Sequence, residues 1–114
     1  DDGRHLGGVI LPGLHMMTQA LFAGTAELPA VDAAAPYREL PRNTRDAIAS
    51  GALLATVGAI RTMFERVAQS PQALCLLSGG AAPRLQPLLE LPCRHVEYLV
   101  LEGLVAIAAE ARPA

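Results

Sequence analysis

The chain has 114 residues and a mass of 11.9 kDa, with 52% apolar and 18% charged side chains. That balance excludes a disordered chain, and the length supports one domain with its own core. The net charge of −2, from nine basic residues that are all Arg against eleven acids, excludes a protein that tracks nucleic-acid phosphates, which needs a basic face.

Asp1-Asp2-Gly3 is a turn signal, and Val9 to Leu11 reads as a strand buried on both faces that ends at Pro12-Gly13. A turn before a strand predicts the outgoing half of a hairpin, so the chain is expected to be a piece of a longer protein. Leu14, Met17 and Leu21 recur at helical spacing and predict a helix over 14–23, with Gly24 as its terminator. Residues 25–42 hold Pro29, Pro36 and Pro41 and predict a long irregular connection. Asn43 or Thr44 can cap a long helix running to Gln69, with Asp46 in its first turn.

That helix carries two apolar rows, one from Ile48 to Val67 and one from Leu53 to Phe64. Its first half should therefore be covered by a sheet on one side and by something else on the other. Gly51 and Gly58 cost about 1 kcal/mol each in a helix interior, and close packing is the expected compensation. Arg, Glu or Gly interrupts the apolar stretches before 18 residues, so no membrane-crossing helix is expected.

Beyond Ser70-Pro71, Ala73 to Leu77 predicts a buried strand and Ala82 to Leu91 a short helix. Pro87 is expected to confine that helix to little more than one turn. Cys93 to Tyr98 alternates like an edge strand, and Leu99 to Glu110 predicts a helix facing inward through Leu101, Leu104, Val105 and Ala108. Alternating strands and helices make the fold class α/β.

Three features carry candidate chemistry. In Ser78-Gly79-Gly80 a strand end meets two glycines and a helix start, where bare backbone can approach a flat or anionic ligand. The competing reading is a tight turn needing positive φ, and Gly80 is expected to tolerate no side chain. Asn43-Thr44 places a hydroxyl at a helix N-terminus, which suits a polar ligand or a plain cap. His5, His15 and His95 stand in separate elements without partners at metal-ligand spacing. Cys75 and Cys93 are 18 residues apart without a CxxC spacing and read as reduced, buried thiols of a cytoplasmic protein.

Together, HLGGVILPGLHMM at 5–17, TAELP at 25–29, RNTRDAIASGAL at 42–53 and LSGGAAP at 77–83 resemble the type III pantothenate kinases, which include the Bvg accessory factors. The resemblance implies one half of an actin-like, sugar-kinase (ribonuclease H-like) ATPase fold lacking its first strand. Residues 1–114 would then be the C-terminal kinase domain. It also implies phosphorylation of pantothenate, the first step towards coenzyme A, using ATP with a divalent metal and a monovalent cation, potassium or ammonium.

The implied partners are a second copy in a homodimer and an N-terminal domain. The family's Asp-x-Gly-Asn-Thr phosphate loop, its Gly-x-Asp-Arg motif with the catalytic Asp and its Asp-x-Gly-Thr-Ala turn do not occur in these 114 residues. No catalytic residue is therefore assigned. Thr44 matches the family's substrate-contacting threonine, and Gly79 and Gly80 resemble the adenosine-side turn. A non-catalytic interaction module keeping the same fold is the competing expectation, and intact upstream motifs would decide against it.

Overall fold

A computed structural model describes residues 3–24 and 35–113. It contains α1 (Leu14–Gly24), α2 (Thr44–Val67), β1 (Cys75–Leu77), α3 (Ala82–Leu89), β2 (Cys93–His95) and α4 (Leu99–Glu110). The class is α/β. The chain divides into two compact units, 1–69 and 70–114.

The first unit is built on α1 and α2. Leu14 and Thr18 are buried and Met17 is half-buried, while Leu21, on the predicted face, is exposed. Leu21 lines an open groove with Ala47, Gly51 and Ala52 of α2. The Thr18 hydroxyl donates to the His15 carbonyl at 2.9 Å, which satisfies a polar group on the buried face. On α2, Ile48, Ala49, Ser50, Ala52, Leu53 and Val57 are buried, so burial concentrates in its first half, where α1 packs; the described residues of this unit contain no strand, so the expected sheet is not part of its cover.

Several expectations fail in this unit. Val9, Ile10 and Leu11 are exposed, and residues 3–13 form no strand. An apolar run becomes a strand only where another strand supplies its ladder, and no described residue does so. Nothing lies within 4 Å of a Cβ built on Gly51 or Gly58, so close packing does not compensate for them. α2 also contains an 18-residue window of mean hydropathy 1.5, long and apolar enough to cross a membrane, contrary to the expectation. Its glycines interrupt the apolar pattern but lower the mean too little to disqualify the window. A third of that window is buried, and core helices pass the same test. The TAELP segment lies outside the described residues.

The second unit is a β1–α3–β2 crossover whose two strands pair in parallel, Cys75 opposite Cys93 and Leu77 opposite His95. α3 packs on β2, and Leu77, Ala82, Leu85 and Leu89 form the buried cluster. Pro83 sits in the first turn of α3, where its missing N–H costs nothing. Pro87 does not stop the helix, which runs for eight residues to a left-handed cap at Glu90, φ 51°. The bond Pro87 forgoes is a single one, to the carbonyl of Pro83.

β1 is buried on one face only, Leu77 inside and Leu76 outside, because among the described residues the sheet has two strands and nothing buries its second face. α4 keeps its expected bounds but buries none of its residues, so Leu101, Leu104 and Val105 are exposed rather than inward-facing.

Candidate functional site

Two places carry the sequence-derived site residues, one in each unit. The first is the N-terminus of α2. Asn43 has extended backbone, φ −138° and ψ 160°, so its side chain can turn back over the helix end. Its Oδ1 accepts from the Asp46 backbone N–H at 2.8 Å, and its Nδ2 donates to Asp46 Oδ2 at 2.9 Å. This closes a reciprocal cap in which Asp46 also meets the positive end of the helix dipole.

Asn43 rather than Thr44 is therefore the cap. Thr44 becomes the first helical residue, exposed, with its hydroxyl outside the capping bonds. It stands at the edge of the groove between α1 and α2, about 750 Å³ in volume, whose walls include Pro12, Met16, Met17, Ala20 and Ile48. An apolar cleft with one hydroxyl among its lining residues suits a small ligand that has a polar end and an aliphatic body.

The approach to this cap is fixed by a contact that sequence reasoning missed. The Arg38 backbone N–H donates to the buried Ser50 Oγ at 2.9 Å, tying the segment before Asn43 to α2. A serine amid the apolar residues of a buried face is the signal that could have found it, because such a hydroxyl must find a partner.

The second place is the turn after β1. Gly79 has φ +96°, a conformation that L side chains rarely adopt, whereas Gly80 has no positive φ. The backbone constraint expected at Gly80 thus falls on Gly79. A Cβ on either glycine would meet nothing within 4 Å, so the turn presents open backbone. The Ala82 N–H donates to the Gly79 carbonyl at 3.2 Å and closes the turn, and no side chain caps α3 at Ala81. The turn lies beyond the carboxyl end of a parallel strand, where open α/β sheets bind ligands.

His5, His15 and His95 are exposed, and no three of the described His, Cys, Asp or Glu residues group to hold a metal ion. Cys75 and Cys93 are free thiols, half-buried rather than buried. Burial, with the facing Cys93 as a smaller cause, pushes the Cys75 thiol above its ordinary range.

The family model for type III pantothenate kinase matches residues 1–66. Curated relatives carrying that name are 51% identical over 104 residues in Aromatoleum aromaticum, 46% over 109 in Azoarcus sp. and 45% over 107 in Dechloromonas aromatica. These alignments cover 91%, 95% and 94% of this chain and 42%, 40% and 44% of the relatives. The chain thus spans about two fifths of the length of the curated relatives it matches.

Proposed function

The chain belongs to the type III pantothenate kinase family, and from that premise we propose that the protein containing it phosphorylates pantothenate to 4′-phosphopantothenate with ATP. The observation that carries this reading is the division of labour at the start of α2. Asn43 alone caps the helix, so the Thr44 hydroxyl is left for a ligand at the rim of an apolar groove. Pantothenate carries a carboxylate, two hydroxyls and a central amide on an aliphatic frame with two geminal methyl groups. A groove with apolar walls and a polar rim complements both parts.

In this reading Thr44 holds the acceptor, and Gly79 and Gly80 flank the adenosine side of ATP through open backbone at a strand end. The parallel β1–α3–β2 crossover suits one half of an actin-like ATPase fold. Phosphoryl transfer needs an oriented hydroxyl, a cradle for the phosphates and a base. This chain supplies elements of orientation. The phosphate cradle and the base belong to motifs outside these 114 residues. No three described His, Cys, Asp or Glu residues group to hold a metal ion, and a divalent ion arriving with ATP would be held chiefly by the phosphates and water. A homodimer and a cytoplasmic location complete the proposal.

The experiment is a pantothenate titration of a full-length protein containing this chain, parent against Thr44→Val. Loss of one hydroxyl hydrogen bond to the substrate should weaken pantothenate binding about tenfold while ATP binding holds. Equal pantothenate affinity in the two proteins would remove Thr44 from the site.

A further inference from the structure

Cys75 and Cys93 open β1 and β2 and are register partners in the parallel ladder. The pairing is pinned at both ends: the Cys75 N–H donates to the Pro92 carbonyl at 2.9 Å and the Val96 N–H to the Leu77 carbonyl at 2.8 Å. Neighbouring strands lie about 4.8 Å apart, which places register-paired Cα atoms inside the roughly 4.4–6.8 Å window of a disulfide. Side chains of register partners leave the same face of the sheet. Both thiols are free and half-buried, so a small oxidant can reach them. Each strand is three residues long and is an edge of a two-stranded sheet, which leaves room for the small approach that a bridge requires.

We propose that Cys75 and Cys93 are a redox-responsive dithiol that a peroxide converts into an intramolecular disulfide joining β1 to β2. The order of events follows from the environment of Cys75. Burial raises the Cys75 thiol, which disfavours its thiolate and leaves Cys93 as the first to react. Its sulfur attacks one peroxide oxygen, the O–O bond breaks, and Cys93 becomes a sulfenic acid as the first water leaves. The Cys75 sulfur then attacks the sulfenic sulfur. The S–S bond forms, the S–O bond breaks, and the departing hydroxyl takes the Cys75 proton as a second water. Two thiols lose two electrons together and one peroxide gains them. This inference is independent of the kinase reading, since it concerns the start of the strands and not the turn at their carboxyl ends.

The test uses the 114-residue chain with hydrogen peroxide as the probe. The native chain should go from two titratable thiols to none, lose two hydrogen atoms by intact mass and remain a monomer on a non-reducing gel. Trypsin cuts after Arg84 and separates the two cysteines, so the oxidised digest should contain the Cys75 and Cys93 peptides joined, and dithiothreitol should release them. The native chain should form this bridge at least about tenfold faster than the same chain in denaturant, because the ladder holds the thiols together. Cys75→Ser and Cys93→Ser should each abolish the bridged species. Intermolecular dimers only, unlinked sulfinic acids only, or equal native and denatured rates would each overturn the proposal. The rate comparison needs no variant, so it stands even where a serine variant folds poorly.

Discussion

Asn43 and Thr44 are adjacent, yet substitutions at the two should report through different measurements. Asn43→Ala removes both capping bonds to Asp46 and should lower stability by about 1 kcal/mol in a urea titration, with pantothenate affinity unchanged. Thr44→Val should do the reverse, leaving the urea midpoint in place and weakening the substrate. The two glycines of the turn divide in a similar way. Gly79→Ala forces a side chain into φ +96° and should cost about 1–2 kcal/mol of stability. Gly80→Ala enters open space at ordinary φ and should stay within about 0.5 kcal/mol of the parent. A fall in nucleotide affinity for Gly80→Ala without a change in melting temperature then reports contact with the ligand. An unchanged nucleotide affinity would remove Gly80 from the site.

At the scale of elements, the helices were legible because their signals are local. The Asn43-Thr44-Arg45-Asp46 start, the Ser70-Pro71 stop and the bounds of α4 all follow from residues a few positions apart. What was not legible depends on distant partners. Val9 to Leu11 has the composition of a strand, but a strand exists only beside another one. α4 has an inward-looking face, but sequence spacing does not say whether anything lies against it. The site was half legible on the same grounds: the cap and the glycine turn are local patterns. By contrast, the bond from Arg38 to Ser50 and the pairing of Cys75 with Cys93 join residues 12 and 18 positions apart. Within the second unit Leu89 is fully buried. Leu89→Ala should cost about 2–5 kcal/mol, the largest loss among single α3 truncations, as read by thermal or urea unfolding of that unit.

For the whole molecule, the proposed function gives this chain one side of a kinase reaction. Positioning and electrostatics make up nearly all of phosphoryl-transfer catalysis, and the 114 residues lack the family's phosphate loop and its Gly-x-Asp-Arg base motif. The chain alone should therefore form no phosphopantothenate in a coupled assay. The most direct test is a chimera in which this chain replaces the matching 104-residue stretch of the Aromatoleum aromaticum kinase. The measurement is phosphopantothenate formation from ATP and pantothenate by that chimera and by its Thr44→Val variant. The chimera should turn over, with a KM for pantothenate raised about tenfold in the variant and its melting temperature preserved. A folded chimera that binds ATP but forms no phosphopantothenate, or a variant with an unchanged KM, would contradict the proposed function.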